Sequence, residues 1–387
     1  MSQPEVRITS RAIDRIAAGH PWIYRSDVKE AENIEPGAVV RLTDRRKHFW
    51  GQALYSSKSQ IALRLVAREE RLFNRDFLAD RIQQAFTYRE RVAAGAEACR
   101  MVSSEGDLLP SLVIDHYGEC FALQTLSQGM ERFKPAIVEM LEQRFHARSV
   151  IERNDVAVRA LEGLPELKGM LSGEDHQAVV TENGVKFRFD LLSGQKTGGF
   201  LDQRENRAAT IEYARGRALD CFCYNGGFAL TMASRCDSVL AIDSSAEALG
   251  AAQANQALNE IGNVEWREAN CFDFLKAADH EGARFDTVVL DPPTFARQRS
   301  HQEAALRAYK ELNLRALKIL NPGGFLITCS CSYHVSEADL LDVIAAAGLD
   351  AHRTVFVVER RTQSRDHPIL LTVPETHYLK CLILRVA

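Results

Sequence analysis

Ala218-Leu219-Asp220-Cys221-Phe222-Cys223-Tyr224-Asn225-Gly226-Gly227-Phe228 decides the fold: an apolar strand runs into a turn with adjacent glycines, and a helical pattern follows. Ligands in open α/β sheets bind beyond the carboxyl ends of strands, where glycines let a ligand approach the backbone with no Cβ in the way. A ligand pocket is therefore expected at this turn, although two glycines also have a purely structural reading. The dinucleotide fingerprint G-x-G-x-x-G is absent, which points to a nucleoside without phosphates rather than a pyrophosphate.

Outward from this turn the pattern repeats. From about Gly216, short β-rich runs at 218–222, 239–243, 264–268, 287–290 and 325–329 alternate with helical runs at 246–258 and 303–320. This is the mark of a doubly wound parallel sheet. Asn321-Pro322-Gly323-Gly324 is expected to stop the last of those helices. Asp243 closes the second strand at the separation where an acid receives ribose hydroxyls; as an alternative it caps the next helix, a task that Ser244 or Ser245 can also perform. After the third strand come Asn270, whose amide suits an adenine edge, and Cys271, whose backbone can do likewise.

The sharpest local signal is Asp291-Pro292-Pro293-Thr294-Phe295 after the fourth strand. Successive prolines remove two backbone donors and stiffen the exit, which presents the Asp291 carboxylate at the rim. The fifth strand runs into Cys329-Ser330-Cys331-Ser332, placing a thiol beside the same rim. Alternation would put Cys329 and Cys331 on one side, a spacing unlike a zinc knuckle, and no metal site is expected. A structural thiol is the commoner fate of cysteine, but beside an acid Cys331 is a candidate nucleophile.

Upstream, runs at 39–42, 49–55 and 61–66 read as a small β-rich barrel, followed by a helix over 73–92. A hairpin around Tyr117-Gly118, a helix over 130–145, a strand at Val150-Ile151 and a hairpin turning on Asn183-Gly184 form a second, α+β unit. The stretch 162–173 reads as an exposed loop. The expected division is 1–70, 71–189 and 190–387, in keeping with a chain of 387 residues, too long for one core.

The net charge of -4 argues against a protein that coats nucleic acid through its overall field. Local patches remain, and Arg41, Arg45, Arg46, Lys47, Lys58, Arg64 and Arg68 form the expected phosphate-facing surface. No stretch is long and apolar enough to cross a bilayer, and Arg7, Arg11, Asp14 and Arg15 interrupt any signal-like run. The nine cysteines, mostly on apolar stretches, suit reduced thiols. A cytoplasmic protein without a membrane partner is expected, and the sequence leaves homodimer formation open.

Together these residues resemble the class I S-adenosylmethionine-dependent methyltransferases. More narrowly, the chain resembles the bacterial 23S ribosomal RNA 5-methylcytosine methyltransferases of the large-subunit type I family. The resemblance is carried by His20-Pro21-Trp22-Ile23-Tyr24, by 103–117, by Arg153-Asn154-Asp155-Val156-Ala157-Val158-Arg159, and most specifically by Gln195-Lys196-Thr197-Gly198-Gly199-Phe200-Leu201-Asp202-Gln203-Arg204.

That resemblance implies a β-barrel PUA domain and an EEHEE domain ahead of a Rossmann-like catalytic domain that takes S-adenosylmethionine. It further implies that Lys196, Thr197, Gly198, Phe200, Gln203 and Arg204 cover the cofactor. Asn225, Gly226 and Gly227 would approach its methionine part, Asp243 its ribose, and Asn270 with Cys271 its adenine. Cys221, Ser244, Asp291 and Pro292 complete the expected cofactor set. The sequence departs at Asn270, where relatives commonly have Asp, and at Asn225, where many have Thr.

The chemistry expected is addition of the Cys331 thiolate to carbon 6 of a cytosine in RNA, with Asp291 on the pyrimidine edge and the base unstacked or flipped out. The competing readings are methyl transfer to a base nitrogen and a non-catalytic ribosomal-RNA-binding assembly factor. Against the first, Thr294 separates Pro293 from Phe295 and displaces the stacking aromatic of acid-Pro-Pro-aromatic enzymes.

Overall fold

A mixed sheet begins the chain, built from β1 (Glu5–Ile8), β2 (Trp22–Tyr24), β3 (Val28–Glu30), β4 (Val39–Thr43), β5 (Phe49–Tyr55) and β6 (Ile61–Ala67), with α1 (Ser10–Ala17) after β1. The computed structural model describes residues 3–31, 33–296 and 298–387. The order is β2-β6-β5-β4-β1-β3, with Val6, Ile23, Val40, Leu42 and Leu63 in its core. The expected runs are β4 to β6. β1 to β3 are only three or four residues long, too short to show a period. Arg64 does not belong to the expected basic surface, because it is buried and ion-paired to Glu162 at 2.8 Å. Arg45, Arg46 and Lys47 do stand exposed on the turn between β4 and β5.

α2 (Arg75–Val92), capped by Asn74, leads into β7 (Ala98–Ser103), β8 (Leu112–Tyr117), β9 (Cys120–Thr125), α3 (Gln128–Phe145), β10 (Ser149–Asn154) and β11 (Leu167–Ser172). Their sheet runs β11-β10-β9-β8-β7, and the apolar faces of both helices pack on it through Phe77, Ile82, Phe86, Ile137 and Leu141. β11 corrects the expected loop at 162–173. As an edge strand it is half exposed and non-alternating, with Gly169 inside, so no sheet period shows. β12 (Gln177–Glu182) and β13 (Val185–Asp190) form the expected hairpin, with Asn183 and Gly184 both at positive φ.

The doubly wound part follows: α4 (Arg204–Tyr213), β14 (Arg217–Cys221), α5 (Gly227–Met232), β15 (Ser238–Asp243), α6 (Ala246–Leu258), β16 (Val264–Glu268), α7 (Cys271–His280), β17 (Phe285–Leu290), α8 (Gln302–Ile319), β18 (Leu320–Ser330), α9 (Glu337–Asp350), β19 (Val355–Arg361) and β20 (Lys380–Val386). The order is β16-β15-β14-β17-β18-β20-β19. β14 to β18 are parallel and β20 is antiparallel to both its neighbours. Leu219, Ile242, Leu290 and Leu326 meet Tyr309, Leu312, Leu317 and Ile344 in the core. Asn321-Pro322-Gly323-Gly324 ends α8 but also lies within β18. Phe285 faces Leu320 and Thr287 faces Phe325, so the turn is absorbed as an irregularity of the strand. The strand order reverses direction between β14 and β17, which places the ligand crevice at their carboxyl ends.

Two compact units result. One holds Met1–Val180, Phe189–Leu201 and Arg365–Thr376; the other holds Thr181–Arg188, Asp202–Ser364 and His377–Ala387. Segments 190–201 and 365–376, which lie beyond the expected boundary at 189, belong to the first unit, and buried polar contacts hold the second of them there. Arg89 pairs with Asp107 and donates to the Asp366 carbonyl at 2.7 Å, and the Arg100 N–H donates to the Asp366 carboxylate at 2.8 Å. No helix among the described residues is long and apolar enough to cross a membrane.

Candidate active site

The carboxyl ends of β14, β15, β17 and β18 converge within the second unit, and each delivers a polar group. After β14 the chain turns sharply, with Phe222, Tyr224 and Gly226 at φ 65, 48 and 87°. A Cβ at Gly226 would lie 2.7 Å from the Trp266 ring in a left-handed conformation, so glycine is required there on two counts. The side chain of Cys221 points into the core, where a sulfur contact with Cys271, together with burial, pushes its thiol up. Only its backbone is available to a ligand.

Asp220 is fully buried. One carboxylate oxygen accepts the Ala229 N–H at 2.9 Å, and Oδ1 has no hydrogen-bond partner among the described residues. Burial, with the charges of Asp291 and Asp243 adding, pushes the Asp220 carboxyl well above its ordinary range. An orphaned acceptor behind a glycine turn fits a ligand that brings a cationic amine.

Asp243 accepts one backbone N–H on each oxygen, from Tyr224 and from Ser245, both at 2.9 Å. These bonds fix the carboxylate and leave a lone pair on each oxygen for hydroxyls. The capping alternative for Asp243 falls to Ser245, whose hydroxyl accepts the Ala248 N–H. Ser244 stands exposed beside it. Asn270 is the N-cap of α7, its Oδ1 accepting from Phe272 and Asp273, so the amide nitrogen is the group left to meet a ligand. Cys271 buries its sulfur 3.8 Å from the Ile242 carbonyl. Its N–H, in the first helical turn, has no intrahelical acceptor.

Asp291 leaves β17 and accepts from Gln203 Nε2 at 2.9 Å, while Asn206 donates to Gln203 Oε1 at 2.6 Å. Arg204 is buried at the start of α4, its carbonyl accepting from Asn183. Pro292 is buried and Pro293 exposed. Cys331, half-buried just past β18, has its sulfur 3.0 Å from Thr294 Oγ1 and 3.9 Å from the Pro292 carbonyl. Alternation does not govern Cys331, because β18 ends at Ser330. Cys329 instead sits inside the sheet opposite Cys381.

Lys196, Thr197, Gly198 and Phe200 belong to the first unit. There the Thr197 hydroxyl donates to Asp115 at 2.5 Å, the Gly199 N–H donates to the Tyr117 hydroxyl, and Lys196 lies over the Phe200 ring at 4.4 Å. Gly198 is buried at φ 143°, where a Cβ would meet Leu191 and Tyr117. The structure thus brings Gln203, Arg204, Asn225, Gly226, Gly227, Asp243, Asn270, Asp291, Pro292 and Cys331 together in one unit and holds 196–200 in the other.

Sequence reasoning missed the clamp beneath the thiol. The Ser332 hydroxyl accepts the N–H groups of Phe295 and Ala296 and meets the Tyr309 hydroxyl at 3.1 Å, fastening the Asp-Pro-Pro loop to the end of β18. It also missed Lys380, whose signal was one charge opening the apolar run Lys380-Cys381-Leu382-Ile383-Leu384.

Residues 6–68 match the family of PUA-like domains, and residues 123–385 match the family of S-adenosylmethionine-dependent methyltransferases. The chain is 39% identical over 372 residues to the ribosomal RNA large subunit methyltransferase I of Photobacterium profundum, covering 93% of this chain and 94% of the relative. Against the protein of that name from Shewanella denitrificans it is 39% identical over 379 residues, 95% of each. Among solved structures, a Streptococcus mutans protein described provisionally as a SAM-dependent methyltransferase superposes with a TM-score of 0.82 at 20% identity, over 99% of this chain and 100% of that one. Another, a provisionally named methyltransferase complexed with SAH, gives 0.83 at 20% identity over 100% of both chains. At that identity these two speak for the fold: a PUA-like domain followed by a Rossmann-like methyltransferase domain.

Proposed function

This chain belongs to the family of S-adenosylmethionine-dependent methyltransferases that includes the ribosomal RNA large subunit methyltransferases I, and from that premise we propose that it methylates carbon 5 of a cytosine in large-subunit ribosomal RNA. The observation behind the choice of carbon is the Cys331 sulfur, 3.0 Å from Thr294 in the Asp-Pro-Pro loop. A second observation disfavours a base nitrogen. Phe295 is half-buried and packs against Phe272 and Tyr309, with ring centroids at 6.1 and 5.0 Å, so its ring is already engaged with the core rather than held out for a target base.

S-adenosylmethionine supplies an electrophilic methyl group on a sulfonium. The acceptor must be made nucleophilic by the protein, because carbon 5 of cytosine is inert on its own. Cys331, as the thiolate, adds to carbon 6, forming a C6–S bond and delivering the ring electrons to carbon 5. Asp291, steadied by Gln203, accepts from the exocyclic amine and shares a proton with N3, which neutralises the negative charge that the thiolate delivers to the ring and is returned when the thiolate leaves. After carbon 5 has taken the methyl group, loss of its proton to a base returns the electron pair, breaks the C6–S bond and regenerates the thiolate.

Asp243 is the proposed ribose ligand, Asp220 faces the amine of the methionine part, and the Asn270 amide with the Cys271 N–H meets the adenine. Lys196, Thr197, Gly198 and Phe200 keep the cofactor role that the resemblance gives them. The PUA-like region supplies RNA affinity. The three-part division at 70 and 189 stands as part of the same proposal.

Bisulfite sequencing of ribosomal RNA from cells with and without this protein tests the reading. Loss of one 5-methylcytosine in the deletion strain, restored by wild type and not by Cys331→Ala, supports it. A methyl mark elsewhere on the base that survives Cys331→Ala selects nitrogen transfer. Restored subunit assembly with no mark at all selects the assembly factor.

A further inference from the structure

Lys380 opens β20 opposite Ser330, and it is only 4% exposed. Its ammonium donates to the carbonyls of Ser332 at 2.8 Å and Tyr378 at 3.0 Å. A lysine stripped of water is costly unless an anion or a set of acceptors compensates. Two carbonyls use two of its three donors. The titratable groups whose charges act on it are Cys331, next to Ser332 in sequence, and Asp339 with Glu337 in the first turn of α9.

Both carboxylates have other partners. Asp339 closes the capping box of α9, accepting from the Ser336 N–H at 2.9 Å and hydroxyl at 2.7 Å, and Glu337 pairs with Arg360 at 3.5 Å. The flanking Cys329 thiol is pushed up by its contact with Cys381 and by burial, and so stays neutral. Cys331 is thus the group whose ionisation Lys380 is best placed to influence. We propose that Lys380 is a positioning residue for the nucleophile, its ammonium held on the Ser332 carbonyl so as to stabilise the Cys331 thiolate before attack. This rests on the reading of Cys331 as nucleophile.

The supporting electrostatics run in the same direction. Burial draws the lysine down to about 8, and Cys331 leads the groups that oppose that fall. The ammonium is therefore present at neutral pH, where a thiol of ordinary pKa near ~8.5 is mostly protonated and a nearby cation has most effect.

The test is alkylation of Cys331 by iodoacetamide in the full-length protein without RNA, followed by peptide mass spectrometry across neutral and alkaline pH. Lys380→Met is expected to slow alkylation about tenfold at neutral pH and to move the midpoint upward, with Lys380→Arg close to wild type. An unmoved midpoint in folded Lys380→Met overturns the proposal, as does an Arg variant that behaves like Met.

Should Lys380→Met fail to fold, Cys331→Ser supplies the reciprocal measurement. Amine labelling of Lys380 then begins at lower pH if the coupling exists, and at the same pH if it does not. Neither measurement uses RNA, so absence of 5-methylcytosine would sink the reaction alone, and a flat alkylation profile would sink the coupling alone.

Discussion

Thr294 Oγ1 lies 3.0 Å from Cys331 Sγ, so the loop leaving β17 and the end of β18 meet through a hydroxyl and a sulfur. The two strands are parallel neighbours, and the Ser332 clamp holds the loop at Phe295 and Ala296. A hydroxyl that donates to sulfur favours the thiolate over the thiol.

Thr294→Val keeps the shape and removes that hydroxyl, which can donate to the sulfur once it is the thiolate. Methyl transfer in single turnover is expected to slow by about tenfold, the effect of roughly one hydrogen bond, while S-adenosylmethionine affinity holds. Thr294→Ser should recover most of the rate. Equal rates for Val and wild type would separate the hydroxyl from the chemistry.

Asp243 is fixed by the backbone of Tyr224 and Ser245. Asp243→Asn forces one of those N–H groups to face an amide and removes charge from the ribose contact. Calorimetry should show S-adenosylmethionine binding weakened about 10- to 100-fold, the range for hydrogen bonds to a charged group. Undiminished affinity would return Asp243 to a purely structural role.

Asn270 has a cap to keep and a ligand to meet, and two variants separate these roles. Asn270→Ala should lower thermal stability by about 1 kcal/mol, the usual value of an N-cap. Asn270→Ser retains a capping oxygen but loses the amide donor, so stability should hold while cofactor affinity falls. If both variants bind as wild type does, the adenine contact is made elsewhere.

Asp220 gives the molecule a pH dependence of definite sign. Its native pKa is raised above the ordinary 3.8, so the unfolded chain releases this proton at lower pH than the folded one. The resulting stabilisation is full below about 3.8 and is lost as pH rises through the native value. Asp220→Asn cannot ionise. Thermal unfolding without cofactor should therefore show the variant gaining on wild type as pH is raised from acid towards neutral, and a difference that stays constant with pH would contradict the raised native value.

Much of the architecture was legible because its period is local. The strands at β4 to β6 and β14 to β17, the helix α6 and the Asn183-Gly184 turn follow from alternation, caps and glycine conformation over a few residues. What was missed has a local cause too. β1 to β3 are too short to show a period, and β11 is an edge strand without alternation.

The candidate site divides in the same way. Asp243, Asp291 and Cys331 stand at strand ends, positions that a run of apolar residues announces by stopping. By itself, then, the sequence determined the order of elements and the residues at their ends, since hydrophobic period and turn chemistry act between near neighbours. Only the tertiary structure decided which oxygen of Asp220 lacks a partner among the described residues, that Thr294 reaches Cys331, that Phe295 packs on Tyr309 and that a lysine from the last strand is buried on the Ser332 carbonyl. Those outcomes depend on how distant segments exclude water together, and no window along the chain contains both partners.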